Sequence, residues 1–376
     1  MILIYLFVIL ISGNRNSFKM KILFIISSLN KCGPVNQLYE LFSSNHSMEG
    51  AVILTLKSEC ASPRNKDFED IGVQIKTPRS PSSNIISLFN AINYEIQTGG
   101  YDVICSQGIR SDFYCACLSF NLRKRVLSIV HNYIYPDYRD RYSFFIGFLM
   151  TKVHLWALHR LCEVVSVSAS VSSYLKNKYG LNSVAIPNGV SLKQYNSKKL
   201  TFELKKLVGI YVGPLIKRKS VDTLLHSFSN LVRLDFELNI VGDGDQYHFL
   251  KKKYALDSRI RFLGFRDDID DIYRNSDFYV SSSKAEGLPM SVLEALSHGL
   301  PCLLSNIPPH QELRAELPLL ASITDFSKLN EIDCFLDSIY VSTNREDRLS
   351  SFANSRFSSL RMMADYLEKF KDISKR

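Results

Sequence analysis

Residues 283–301, Ser283-Lys-Ala-Glu286-Gly-Leu-Pro-Met-Ser-Val-Leu-Glu294-Ala-Leu-Ser-His-Gly-Leu-Pro301, decide how this chain folds. Just upstream, Phe278-Tyr-Val-Ser281 is an apolar run of strand length. Ser281 to Gly287 are turn residues, and Met290 to Ser297 have helical composition. The stretch therefore reads as a buried strand, a loop and a helix start. The first N–H groups of such a helix, those of about Leu288 to Ser291, lack intrahelical partners and carry the positive end of the macrodipole. An anion fits there, a diphosphate especially. Pro289 suits the first turn, and Gly299 followed by Pro301 ends the helix. The seven-residue gap returns Glu294 to the face of Glu286 after two turns. On spacing alone, a solvated acidic helix face explains that pair better than a binding site does.

Outward from this segment, strands and helices alternate along the whole chain. Ile22 to Ile26, Val52 to Leu56, Val103 to Cys105, Val126 to Val130 and Val164 to Val167 are short apolar or β-branched runs with helix-like stretches between them. The series restarts with Gly209 to Val212, Phe236 to Val241, Ile260 to Leu263, Phe278 to Val280 and Pro301 to Leu304. Alternation of this kind means parallel sheets, so the expectation is an α/β protein of two doubly wound domains joined near Tyr195 to Phe202. Ligands of such sheets bind outside the carboxyl ends of the strands, and the motifs named here sit at strand ends. Phe352 to Lys371 reads as one helix, with Phe357, Leu360, Met363, Tyr366, Leu367 and Phe370 at helical spacing.

Glu286-Gly-Leu-Pro-x4-Glu294-Ala-x3-Gly-x-Pro301 resembles the Glu-x7-Glu signature of the retaining nucleotide-sugar glycosyltransferases of family 4, which have the GT-B fold. Other segments follow in family order. Met20-Lys-Ile-Leu-Phe-Ile-Ile resembles the first strand, Lys31-Cys-Gly-Pro-Val-Asn36 the glycine-rich first loop, and Val130-His-Asn132 the active-site histidine segment. Val165-Ser-Val-Ser168 and Ile186-Pro-Asn-Gly-Val190 resemble the stretches leading to the interdomain linker. Val212-Gly-Pro-Leu-Ile-Lys-Arg-Lys219, Ile240-Val-Gly-Asp-Gly244, Arg261-Phe-Leu-Gly-Phe265 and Ser276-Asp-Phe-Tyr-Val280 complete the series. The resemblance implies Rossmann-like domains over 20–195 (acceptor side) and 196–351 (donor side), facing a deep cleft. A C-terminal helix over 352–376 would return to the first domain; a plain capping helix of the second domain is the alternative.

The chemistry implied is transfer of a sugar from a nucleoside diphosphate through an oxocarbenium-like state, which needs the departing diphosphate neutralised and the sugar oriented. By resemblance, Lys219 and the N–H groups around Leu288 would meet the diphosphate, with Gly213, Gly287, Pro289 and Met290 shaping the same loops. Gly33, lacking Cβ, would let the first-loop backbone approach the phosphates. Glu286 would hold the donor-sugar hydroxyls, Glu294 the ribose diol, and Gly264 and Phe265 would flank the base. His131 would act at the donor sugar, although a lone histidine at a strand end is more often structural. No cofactor is implied, the nucleotide sugar being a substrate, and no metal. Asp243, Asp245 and the Asp267 to Asp271 cluster read as solvated turn and helix-start residues. Two departures stand out: Pro214 occupies the place of the family's usual arginine, with Arg218 as the possible substitute, and Cys32-Gly33 replaces a frequent Gly-Gly.

Composition agrees with a globular chain of two domains: 376 residues, 46% hydrophobic and 22% charged. Val241-Gly-Asp-Gly-Asp-Gln-Tyr247 lacks the third glycine of a dinucleotide fingerprint and reads as a tight turn. The eight cysteines include no Cys-x2-Cys pair, which argues against zinc, and scattered thiols suit a reducing cytoplasm. Met1 to Ser12 is an apolar run too short to span a bilayer comfortably, and three readings remain: translation starting at Met20, a membrane-touching peptide, or a cleaved signal. The formal charge of +9 favours anionic partners. Its Lys/Arg clusters lie in unrelated elements, which argues against nucleic acid. Tyr133 to Arg160 interleaves aromatic and basic residues, a composition suited to an anionic membrane surface or to a partly buried helix pair. The expectation is a retaining, metal-independent transferase carrying a hexosyl group, from a UDP-sugar, to a lipid-linked saccharide in bacterial surface-polysaccharide assembly. It would work in the cytoplasm, peripherally on the inner face of the membrane. A non-catalytic nucleotide-sugar-binding protein, a phosphorylase or an epimerase of the same fold are the alternatives.

Overall fold

The computed structural model describes residues 20–44, 48, 50–57, 64–78, 84–192, 206–341 and 345–376. The N-terminal run 1–19 and the expected linker at Tyr195 to Phe202 lie outside them. The described chain forms two units. One comprises the residues up to Val167, with Ser172–Ile186 and Leu360–Arg376, and the other Ser168–Val171 with Pro187–Ser359.

The first unit is built on seven parallel strands: β1 (Ile22–Ile26), β2 (Val52–Thr55), β3 (Gln74–Lys76), β4 (Val103–Gln107), β5 (Val126–Val130), β6 (Glu163–Ser166) and β7 (Val184–Ala185). They run in the order β3-β2-β1-β4-β5-β6-β7. Every residue of β1, β4 and β5 is buried, as continuous apolar runs must be in a sheet covered on both faces. The second unit has six parallel strands: β8 (Leu207–Val212), β9 (Phe236–Val241), β10 (Ile260–Gly264), β11 (Phe278–Ser281), β12 (Cys302–Ser305) and β13 (Ala321–Thr324). Their order is β10-β9-β8-β11-β12-β13. Both sheets are doubly wound, and each reverses direction at one switch point, between β1 and β4 and between β8 and β11. The second core centres on Phe228, Phe236 and Phe278, where the Phe228 and Phe278 rings stack 6.3 Å apart.

Three strands escaped the sequence pattern, and all are short or sit at sheet margins. β3 and β7 have no fully buried residue, and β13 is half polar, so none shows an apolar run. The expected C-terminal helix is also interrupted. Helices Arg345–Ala353 and Ser359–Ser374 are separated by a non-helical Asn354–Ser358. There the Phe357 N–H bonds the Ser355 hydroxyl, a local alternative to the helix ladder that serine readily offers. The break lets Phe357 bury completely while its carbonyl accepts the Val190 N–H at 3.0 Å, and Ser359 N–H bonds the Val190 carbonyl at 3.0 Å. Beyond it, helix Ser359–Ser374 packs on the first unit through Met362, Met363, Tyr366, Phe370 and Ile373, with the Phe370 ring 6.2 Å from that of Phe24. Gln37 Nε2 reaches Met362 Sδ at 3.6 Å.

Gly189 makes room for the pairing of Val190 with Phe357 and Ser359. A Cβ there would stand 2.4 Å from the Ser358 carbonyl oxygen and 2.9 Å from the Ser359 nitrogen, both backbone atoms. Gly189→Ala is expected to destabilise the second unit by about 1–3 kcal/mol, read as a lowered thermal midpoint. An unchanged midpoint would show that the Val190–Ser358 pairing carries no stability.

Candidate active site

Both loops at the β8/β11 switch point are occupied by the residues singled out from sequence. β8 runs into Gly213-Pro214-Leu215 and the short 3-10 turn Lys217–Lys219, and β11 into Ser282 to Pro289. Gly213 has φ 153, and the Gly242-Asp-Gly244 turn leans on its loop so closely that a Cβ on Gly242 would lie 2.0 Å from the Gly213 carbonyl oxygen. The Gly-x-Gly of this stretch is thus a backbone-packing turn. Pro214 is exposed; its carbonyl accepts the buried Tyr211 hydroxyl at 3.1 Å.

Glu286 is the centre of the site. Its carboxylate is buried and gripped by two cations, Lys219 Nζ donating to Oε1 at 2.6 Å and Arg218 Nη1 to Oε2 at 3.1 Å. Burial alone would raise this carboxyl, but Lys219, Arg218 and a bond from the Ser283 hydroxyl overcome it and hold its pKa at about 2. The surrounding loop is knitted by hydroxyls. Ser282 Oγ bonds the Ser220 carbonyl at 2.9 Å, Ser305 Oγ the Ser283 carbonyl at 2.6 Å, and Arg218 Nη1 also donates to the Ala285 carbonyl at 2.6 Å. Ser220, directly after Lys219, is the one described non-glycine residue with positive φ, 53°. Such a conformation persists only when its surroundings hold it, and here it aims the Lys219 turn at Glu286. His310 lies within electrostatic reach of this group; burial holds its pKa near 4, and its Nδ1 bonds the Ser305 carbonyl at 2.9 Å.

Helix Met290–Ser297 begins one residue after Pro289, which is its N-cap, so Met290 to Val292 present the unpaired N–H groups. Glu286 stands outside the helix, which corrects the expectation that it and Glu294 share a helical face. The spacing reflects a loop followed by a helix. Glu294 receives the buried Tyr273 hydroxyl at 3.4 Å, and Tyr273 also bonds the Ser291 carbonyl at 3.0 Å. Gly264 ends β10 with φ 69, its carbonyl taking the Gly242 N–H at 2.8 Å, and leads to an exposed Phe265. Two residues that sequence reading had given no role fix the Glu286 loop from outside it. Ser168 Oγ donates to the Gly287 carbonyl at 2.8 Å and Asn188 Nδ2 to the Leu288 carbonyl at 3.0 Å. Their segments, Val-Ser-Val-Ser and Pro-Asn-Gly, were visible in the sequence; only the partners were not.

In the first unit, Gly33 opens helix Gly33–Ser43 after an extended Cys32 N-cap. Its φ is not among the positive ones, so only its missing Cβ is of use. His131 follows β5 directly. Its Nε2 is enclosed without a hydrogen-bond partner, and burial holds the ring's pKa near 4 against the opposing effect of Asp112. Helix Phe144–Arg160 exposes Phe144, Phe145, Ile146, Phe148, Leu149 and Trp156, with Lys152 over the Phe148 ring and Arg160 over Trp156. No helix among the described residues is long and apolar enough to cross a membrane.

Residues 51–194 match the family Glycosyltransferase Family 4, and residues 206–326 match Glycosyl transferases group 1. Both matches are to glycosyltransferase domains, the first of family 4, and the chain is a glycosyltransferase. This glycosyltransferase is 24% identical over 378 residues to the O-antigen biosynthesis glycosyltransferase WclY of Escherichia coli, covering 94% of this chain and 99% of that one. Over 173 residues, 41% of this chain and 43% of the relative, it is 33% identical to the Escherichia coli UDP-Gal:alpha-D-GlcNAc-diphosphoundecaprenol alpha-1,3-galactosyltransferase. Its fold matches that of HepE from Anabaena, solved in complex with UDP and glucose, at a TM-score of 0.74 and 20% identity over 94% of this chain and 100% of HepE. The two doubly wound units are those of a GT-B glycosyltransferase.

Acid sensitivity tests the Glu286 grip. Its folded pKa of about 2 lies below the ordinary 4.5, so its contribution to stability is complete above that value and is lost as the pH falls through the folded one. Between about pH 5 and pH 2 the wild type should lose ~3 kcal/mol more than Glu286→Gln, read from urea midpoints. Parallel acid profiles would mean the carboxylate is not held as described.

Proposed function

We propose that this glycosyltransferase is a retaining, metal-independent hexosyltransferase that takes its sugar from a UDP-sugar. The observation that carries the reading is the Glu286 carboxylate set between Lys219 and Arg218 beside a helix N-terminus. A nucleoside diphosphate sugar presents two kinds of group, anionic oxygens and hydroxyls, and this cluster offers cations and N–H donors for the first and a carboxylate for the second. Lys219, Arg218 and the N–H groups of Met290 to Val292 would draw off the charge that builds on the departing diphosphate. Glu286 would then orient the sugar, while Gly213, Gly287 and Leu288 keep the backbone close. Glu294 would take the ribose diol, with Tyr273 fixing its direction, and Gly264 and Phe265 would border the base. From the first unit, Gly33 would approach the phosphates and His131 the sugar; as a half-buried imidazole kept largely neutral, it suits a dipolar contact with developing positive charge. Arg218 would supply the countercharge for which Pro214 offers no side chain.

The acceptor is proposed to be a lipid-linked saccharide in O-antigen, lipopolysaccharide or capsule assembly, in keeping with the functions of the O-antigen relative and of the diphosphoundecaprenol galactosyltransferase. An enzyme acting on such an acceptor must work at a membrane surface, here the cytoplasmic face. Helix Phe144–Arg160 has the chemistry for it, with aromatic and aliphatic side chains outward and cations shelved on their rings.

A donor panel with product analysis tests the transfer. UDP-sugars should bind and turn over, the product should keep the donor's anomeric configuration, and Glu286→Ala should lower kcat/KM by about 10²–10³. Preference for another nucleotide, or an inverted product, would overturn the corresponding part. Membrane association is tested by co-sedimentation with vesicles containing phosphatidylglycerol. The wild type should pellet at low salt and be released by high salt, and Phe145→Asp should weaken binding about tenfold. No pelleting at low salt would remove the idea.

A further inference from the structure

A second cluster of titratable side chains lies in the first unit. Ser106 Oγ donates to Asp112 Oδ1 at 2.5 Å, His154 Nε2 meets Asp112 Oδ2 at 2.8 Å, and the Tyr138 hydroxyl meets His154 Nδ1 at 2.8 Å. All four residues are buried. Asp112 accepts, so the shared proton sits on Nε2 and leaves Nδ1 to accept from Tyr138, whose hydroxyl burial keeps protonated. Each member is thereby satisfied, and the chain has one direction.

It joins four elements: β4 through Ser106, helix Ile109–Ala116 through Asp112, helix Phe144–Arg160 through His154, and helix Ile134–Arg141 through Tyr138. The last of these starts three residues after His131, and Asn132 Nδ2 bonds Asp137 within its first turn at 3.3 Å. The same two helices also meet at Gly147, where a Cβ would stand 3.0 Å from the Arg139 backbone nitrogen. A buried hydrogen-bonded chain of this kind is far more costly to break than a surface one, because each cut strands a polar group away from water.

We propose that Tyr138, His154 and Asp112 are positioning residues for His131. They lock the turn His131 to Tyr133 to the helix that bears the exposed aromatic face, so that the imidazole is held in its reacting position. Electrostatic coupling between Asp112 and His131 supports their proximity. The inference rests on the reading that His131 serves the transfer reaction, and the test separates the two.

Tyr138→Phe removes one hydroxyl while keeping the ring. The kcat for transfer from UDP-sugar, the donor Kd by calorimetry and the thermal midpoint are measured in Tyr138→Phe, His131→Ala and the double variant. The positioning role predicts that Tyr138→Phe lowers kcat about tenfold, leaves donor Kd within about twofold, and costs nothing further once His131 is alanine. Equal losses in both backgrounds, or none in either, would overturn the proposal while leaving the role of His131 intact. Full activity of His131→Ala would instead overturn the reading beneath it, and the proposal with it. If Tyr138→Phe fails to fold, His154→Gln, whose amide still offers Asp112 a donor, takes its place, with the same outcomes deciding.

Discussion

A carboxylate buried among apolar strands cannot stand alone, and the second unit is organised around that constraint at Glu286. The desolvation of an unpaired charge at such a place would cost several kcal/mol, so removing either cation would be far worse than removing the pair. Lys219 and Arg218 must therefore be delivered to it with little freedom. The left-handed Ser220 sets the turn they come from, the Ser282, Ser283 and Ser305 hydroxyls hold the loop they reach, and Ser168 and Asn188 hold its continuation. Most of these supports are serines, short side chains that bond backbone carbonyls without filling the space a ligand would need.

The first unit meets the same problem with a different answer. Asp112 is as deeply buried, yet its partners are a hydroxyl and an imidazole rather than two cations. These two hydrogen bonds fix the carboxylate in place, and its field reaches His131. One unit thus grips its buried carboxylate with two cations, the other with a hydroxyl and an imidazole.

The sheets were legible in the sequence because central parallel strands are apolar on both faces. Ile22–Ile26, Val126–Val130 and Phe236–Val241 were found to the residue, whereas Gln74–Lys76 and Val184–Ala185, at the margins, carry no such run. Within the loops of the second unit the motif located Glu286, Lys219 and the helix start, but spacing misled on one point, since a loop and then one helical turn, rather than two helical turns, separate Glu286 from Glu294. What the sequence could not show was pairing over distance. That Arg218 closes on a residue 68 positions away, that Asn188 reaches Leu288, and that Asp112 meets His154 across 42 positions are facts of tertiary packing. The break at Asn354–Ser358 was hidden for a related reason: Phe357 keeps helical spacing with its neighbours while its backbone serves Val190.

The Glu286 grip also bears on discrimination among anions. Lys219 and Arg218 are already satisfied by a carboxylate, so a free phosphate or sulfate ion gains little by displacing it and would strand Glu286 as a bare buried charge. On the proposed reading, a nucleotide sugar escapes this penalty because it brings hydroxyls to the carboxylate in the same event that brings phosphates to the cations. The cluster would then reject the abundant small anions of the cell by leaving them an unfavourable exchange, without any steric barrier at the entrance.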